Sequence, residues 1–116
     1  MNKIYHLRTC NTCQRIIKDL GAESFEFQEI KTQPITAAQL DDLAKAVGSY
    51  KALFNMRAQK IKILGLAVNS LSEADFRRLI LDEYTFLKRP VIVVDGQVFV
   101  GNSTATIAAA KAALGR

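Results

Sequence analysis

Lys3-Ile4-Tyr5-His6-Leu7-Arg8-Thr9-Cys10-Asn11-Thr12-Cys13 is the stretch of sequence from which the fold can be worked out. Its first half alternates and contains β-branched and aromatic side chains, which predicts a strand. Thr9 or Cys10 then caps a predicted helix over residues 11–20. A second alternating run, residues 24–30, predicts another strand. The result is a β-α-β unit with both cysteines at its first strand-to-helix turn.

The rest of the chain adds a helical stretch and then a β-β-α unit. Asp95-Gly96 is a two-residue hairpin signal between two apolar runs. The patterns predict helices over 36–47, 72–84 and 103–114, a helical turn within 50–56, and strands over 90–94 and 97–100. This order predicts an α/β thioredoxin/glutaredoxin-like fold, with a mixed four-stranded sheet and a helical insertion, as a single domain over residues 1–116.

Composition excludes several classes of protein. The chain has 116 residues, 49% of them hydrophobic, and a net charge of +5. This content excludes a disordered chain, and no apolar run approaches the roughly 20 residues of a membrane span. The basic residues are scattered, so we expect no direct nucleic-acid partner and no membrane partner. The N-terminus lacks the pattern of a signal peptide, and we expect a cytoplasmic protein.

The two cysteines are the candidate chemical groups. In a reducing compartment, such a pair is more often catalytic or metal-binding than structural. One CxxC supplies only two zinc ligands, so we expect no metal site. Cys10 precedes a helix, whose N–H groups and dipole favour a reactive thiolate. Cys13, one turn later, either resolves a Cys10 adduct or packs inward as a small apolar side chain.

Four motifs carry a family resemblance over nearly the whole chain. They are Tyr5-His6-x-x-x-Cys10, Leu53-Phe54-Asn55-Met56-Arg57, Leu64-Gly65-Leu66 and Lys88-Arg89-Pro90-Val91-Ile92-Val93. With these motifs, the chain resembles the ArsC-type arsenate reductases that couple to glutathione and glutaredoxin. That family also contains the Spx-type transcriptional regulators.

The resemblance implies roles for individual residues. Cys10 matches the nucleophilic cysteine, and His6 matches a histidine that helps to keep this cysteine ionised. Arg57 and Arg89 match two arginines that hold the oxyanion substrate. Pro90 matches the cis-proline that lies opposite the reactive cysteine in thioredoxin-like folds.

The chain departs from the arsenate reductases at two places. Val100-Gly101-Asn102-Ser103 lies where their third arginine is expected, and Cys13 is an addition typical of the Spx-type proteins. Three functions therefore remain open. They are a thiol oxidoreductase acting on a small oxyanion or a disulfide, an Spx-like redox sensor that binds the RNA polymerase α-subunit, and an uncharacterised glutathione-dependent thiol reductase. The resemblance implies no bound cofactor, glutathione as a possible co-substrate, and glutaredoxin or thioredoxin as the reductant.

Overall fold

A mixed four-stranded sheet is the central element of the computed structural model, which describes residues 2–21 and 25–115. Its strands are β1 (Lys3–His6), β2 (Glu26–Glu29), β3 (Val91–Val94) and β4 (Gln97–Val100). They lie in the order β2-β1-β3-β4. β1 runs parallel to β2 and antiparallel to β3, and β3 pairs antiparallel with β4. The predicted mixed sheet is confirmed.

Five α-helices and three single 3₁₀ turns complete the described secondary structure. The helices are α1 (Asn11–Leu20), α2 (Ala37–Val47), α3 (Gln59–Ile63), α4 (Glu73–Asp82) and α5 (Thr104–Ala113). The 3₁₀ turns are Lys51–Leu53, Val68–Ser70 and Tyr84–Phe86. Within residues 2–21 and 25–115, no helix has the length and apolar character needed to cross a membrane.

Several predicted boundaries differ from the observed ones. The helix expected to reach residue 84 ends at Asp82, because Glu83 turns to an extended conformation and its carboxylate accepts the N–H of Thr85. The helical turn predicted within 50–56 covers only Lys51–Leu53. Leu7 lies beyond β1, and Ser24, the predicted start of β2, lies outside the described residues.

The chain divides into two compact units, Met1–Gln33 with Arg89–Arg116, and Pro34–Lys88. The single domain expected from the sequence stays a prediction. In the first unit, the core joins the sheet to α1 and α5. Its buried members include Ile4, Ile16, Leu20, Ile92, Ile107 and Ala110.

The second unit has its own aromatic core. The ring of Phe54 lies 4.9 Å from that of Phe76 and 5.1 Å from that of Phe86, measured between centroids. All three side chains are fully buried. Capping boxes fix the starts of α2 and α4, with Thr36 and Ser72 as the N-cap residues.

A single carboxylate joins the segments that follow the two parallel strands. Glu29, the last residue of β2, accepts the N–H of Arg8 on Oε2 at 3.0 Å. Its Oε1 accepts the N–H of Lys31 at 3.1 Å and both the N–H and the hydroxyl of Thr32, at 2.9 and 3.0 Å. These donors, with Arg8 contributing most, outweigh partial burial and lower the pKa of Glu29 to about 2.

We expect Glu29 to make the free energy of unfolding depend on pH. Its pKa falls from an ordinary 4.5 to about 2 on folding, so the unfolded chain binds more protons in this window. The contribution of Glu29 to stability is therefore complete above about pH 4.5 and is lost as the pH falls towards 2. Urea unfolding at a series of pH values should show a shallower acid dependence in Glu29→Gln than in the wild type.

The matched control for this measurement is Glu26→Gln. Glu26 lies on the same strand and only approaches Lys3, at 4.0 Å, so its removal should leave the acid dependence almost unchanged. Identical pH profiles for Glu29→Gln and the wild type would contradict the prediction.

Candidate active site

The turn between β1 and α1 places Cys10 at the start of the helix. The N–H of Cys10 donates to the carbonyl of Leu7 at 3.0 Å, which closes the turn. Cys10 is the N-cap residue of α1, and its carbonyl accepts the N–H of Gln14 at 3.2 Å. Its conformation is extended, with φ −87° and ψ 108°, and the residue lies directly before the first N–H groups of the helix, which have no partner within the helix itself.

Cys10 is the more acidic of the two thiols. Burial by itself raises the pKa of Cys10, but four interactions together outweigh it. In decreasing order, these are the N–H of Cys13, the thiol of Cys13, the positive charge of Arg89 and the N–H of Thr12. The pKa of Cys10 is therefore lowered, and the half-buried side chain is favoured as a thiolate.

Cys13 is the buried partner of this thiolate. Its side chain is fully buried, and its role as the resolving cysteine stays a prediction. Burial, and to a smaller extent donation to the Cys10 sulfur, raise the pKa of Cys13 to about 12. At neutral pH, Cys13 is therefore a thiol, and its hydrogen bond favours the anionic form of Cys10.

Arg89 and Pro90 are the two residues directly before β3. The Arg89–Pro90 peptide bond is cis, as the resemblance implies. The carbonyl of Pro90 accepts the N–H of Gly101 at 2.9 Å. The guanidinium charge of Arg89 lowers the pKa of both cysteines, which places a permanent cation next to the sulfur pair.

His6 is the last residue of β1. Its ring packs in a T-shaped arrangement with the ring of Phe27, with the two centroids 5.7 Å apart. Burial lowers the pKa of His6, and the negative charge of Glu29 only partly opposes this. Within the described residues, Nδ1 is buried and has no hydrogen-bond partner. The neutral imidazole therefore dominates at neutral pH, and this form would do little to stabilise the Cys10 thiolate. The supporting role of His6 stays a prediction.

Arg57 belongs to the second compact unit. It is exposed, in the turn that precedes α3, and its N–H donates to Oδ1 of Asn55 at 3.1 Å. The nearby Lys60 forms an ion pair with Glu83. The oxyanion-binding role of Arg57 stays a prediction from the resemblance.

Two residues near the turn were missed by the reasoning from sequence. Glu29 accepts the N–H of Arg8, and Gln14 donates its side-chain Nε2–H to the carbonyl of Arg8 at 3.2 Å. Glu29 could have been suspected, since adjacent parallel strands bring their carboxyl ends to one edge of the sheet. Nothing in the local sequence marks Gln14.

Among residues 2–21 and 25–115, no three side chains of His, Cys, Asp or Glu are grouped so as to hold a metal ion.

A mixed sheet with an acidified cysteine at the start of its first helix defines a thiol protein of thioredoxin-like fold. The chain belongs to the ArsC family, whose model matches residues 5–110. The chain is therefore a member of a thiol oxidoreductase family.

Three known proteins illustrate the similarity. The uncharacterised protein YfgD of Escherichia coli K12 is 32% identical over 104 residues, which cover 85% of this chain and 87% of that protein. An arsenate reductase (ArsC) related protein from Brucella melitensis is 27% identical, with a TM-score of 0.72 over 93% of this chain and 92% of that one. An arsenate reductase from Vibrio cholerae has a TM-score of 0.78, with coverages of 93% and 95%. At 18% identity, it supports the fold alone.

We expect removal of the Arg89 charge to change the pH at which the Cys10 thiolate forms. Arg89→Met removes a cation that favours the thiolate, so the ultraviolet absorbance of the thiolate should appear at higher pH than in the wild type. Arg89→Lys keeps the charge and should restore most of the shift. Lys88→Met is the control for general loss of positive charge. A wild-type titration curve in Arg89→Met would contradict the prediction.

Proposed function

We propose that this protein is a thiol-dependent oxidoreductase of the ArsC type, in which the Cys10 thiolate attacks an oxyanion or a disulfide. One observation carries the proposal. Cys10 is partly accessible, lies at the start of α1, and has a lowered pKa beside the cation of Arg89, while Cys13 next to it is a buried thiol. An activated thiolate and a second sulfur within reach are what two-electron thiol chemistry requires.

The disulfide reaction would proceed in two exchanges. The Cys10 thiolate forms a bond to one substrate sulfur, and the other sulfur leaves as a thiolate. Cys13 then loses its proton to solvent and attacks the Cys10 sulfur, which forms the Cys10–Cys13 disulfide and releases the second substrate thiolate. Glutathione can take the place of Cys13 in this second step. Glutaredoxin or thioredoxin would return the protein to the dithiol state.

The oxyanion reaction uses the same electrons. The thiolate bonds to the central atom of the oxyanion and displaces a hydroxyl group, which takes a proton from solvent and leaves as water. A second thiol then loses its proton and attacks the Cys10 sulfur. The bond between this sulfur and the central atom breaks, its electron pair reduces the central atom by two electrons, and the two sulfurs become a disulfide. Arg89 and Arg57 are our candidates for binding the oxyanion, since guanidinium groups pair with tetrahedral oxyanions through two hydrogen bonds. Gly101, with φ +93°, lies where the arsenate reductases have a third arginine. Arsenate is therefore one candidate substrate within a broader class.

The proposal needs no bound cofactor or metal, because the electrons come from thiols. It places the reaction in the cytoplasm, where glutathione and thioredoxin keep cysteines reduced. His6 would affect the reaction through the turn that begins at the end of β1. As a neutral imidazole, it adds no positive charge to the site.

We expect Cys10→Ser to lower thiol-linked turnover to the background rate, since serine is not ionised at neutral pH. The assay follows reduction of arsenate and, separately, of a small disulfide, with glutathione and glutaredoxin as the reducing system. Cys13→Ser should keep the first chemical step, measured as a single turnover, and slow only the recycling. Full turnover by Cys10→Ser would contradict the proposal.

A second function is favoured by the contact between the two sulfurs. Since the Cys13 thiol donates to Cys10, oxidation could close the pair into a disulfide. This is the switch expected of an Spx-like regulator that binds the RNA polymerase α-subunit.

An affinity experiment separates the regulator from the enzyme. Immobilised oxidised protein should retain the purified RNA polymerase α-subunit if the protein is an Spx-like regulator. Reduced protein and Cys13→Ser, neither of which holds the internal disulfide, should retain less. Equal or absent retention by all three forms would count against the regulator.

A further inference from the structure

The backbone of Arg8 is hydrogen-bonded on both sides of its Cα atom. Its N–H donates to Oε2 of Glu29 at 3.0 Å, and its carbonyl accepts Nε2–H of Gln14 at 3.2 Å. Arg8 lies within the Leu7–Cys10 turn, which the Cys10 N–H closes by donating to Leu7. The middle of this turn is therefore fastened to the end of β2 on one side and to the first turn of α1 on the other.

The sheet register brings Glu29 to this turn. Glu29 pairs with His6 in the parallel ladder between β2 and β1, so the segments that leave both strands start side by side. The other oxygen of its carboxylate is fixed by Lys31 and Thr32. Glu29 thus has one defined orientation, and its contact with Arg8 links residues 21 positions apart in the sequence.

We propose that Glu29 is a positioning residue for Cys10: its carboxylate holds the N–H of Arg8, and through it the turn that sets the position of the Cys10 sulfur relative to the N–H groups of α1. The inference rests on the proposed function only in taking Cys10 as the reacting sulfur. Glu29 itself does not touch the substrate. Its effect reaches Cys10 through the backbone.

The sign of the effect distinguishes positioning from simple charge. The groups that act electrostatically on Cys10 are Arg89 and the thiol of Cys13, together with helix N–H groups. A nearby carboxylate acting through its charge would disfavour the thiolate, so its neutralisation would make Cys10 more acidic. Positioning predicts the opposite result. Without the carboxylate, the sulfur loses its alignment with the N–H groups, and Cys10 becomes less acidic.

Glu29→Gln is a suitable test because glutamine has almost the same shape. An amide offers one acceptor oxygen, whereas the carboxylate offers two. Lys31 and Thr32 present three donors to one side of this group, and Arg8 presents one donor to the other. The amide oxygen is therefore drawn to Lys31 and Thr32, and its NH₂ faces the N–H of Arg8, which loses its partner.

The experiment measures Cys10 directly, without turnover. Thiolate absorbance is recorded against pH, and the rate of alkylation of Cys10 is measured at neutral pH in a Cys13→Ser background, for Glu29→Gln, Glu26→Gln and the unsubstituted parent. In Glu29→Gln we expect the thiolate to appear at higher pH and the alkylation rate to fall about three- to tenfold, as a rise of half to one pKa unit would produce. Glu26→Gln should match the parent.

Three results would overturn the proposal. The first is reduced stability of Glu29→Gln with unchanged Cys10 titration, which would make Glu29 a structural residue only. The second is a shift of the thiolate to lower pH, the signature of charge. The third is an equal shift in Glu26→Gln. Because alkylation needs no substrate, full turnover by Cys10→Ser would refute the proposed function and leave this result intact.

A second variant covers failure of Glu29→Gln to fold. Gln14→Ala removes the donor to the carbonyl of Arg8, which lies on the other side of the same residue. Gln14 is exposed, and alanine favours the helix, so this variant should fold. We expect the Cys10 thiolate to move to higher pH here too, by less than in Glu29→Gln. An unchanged titration in Gln14→Ala would then overturn the proposal.

Discussion

The position of the Cys10 sulfur relative to the first N–H groups of α1 is the constraint on which the site depends. Those N–H groups and the Cys13 thiol oppose the burial that would otherwise keep Cys10 protonated. Hydrogen bonds to an anion weaken steeply as geometry degrades. The lowered pKa of Cys10 therefore depends in part on the backbone of the Leu7–Cys10 turn, to which Glu29 and Gln14 are hydrogen-bonded.

Local patterns in the sequence were sufficient for the elements around this turn. Three local patterns predict structure within a few residues of themselves: the alternation in β1, the Ile16 and Leu20 stripe of α1, and the Asp95-Gly96 turn. The structure has a strand, a helix and a hairpin at these places. α3 gave no comparable signal. It is five residues long, and none of them is buried. Its N-cap residue is Ala58, whose side chain has no hydrogen-bond acceptor.

The interactions within the site were harder to predict because they are long-range. The effect of Arg89 on Cys10 depends on the pairing of β1 with β3, and its role came from the resemblance and not from any local pattern. The contact between Glu29 and Arg8 depends on the register of β1 with β2. The state of His6 depends on burial, which spacing along the chain does not reveal.

The three-residue separation of the cysteines also fixes the order in which they would react. Cys10 lies before the helix, whereas Cys13 lies within it, three residues before Ile16 on the buried face. As long as Cys10 is an anion, its charge and the hydrogen bond to it help to raise the pKa of Cys13 to about 12. A covalent adduct on Cys10 would remove that anion, so the pKa of Cys13 would fall, although burial would keep it raised. Cys13 would thus become a better nucleophile only after Cys10 has reacted.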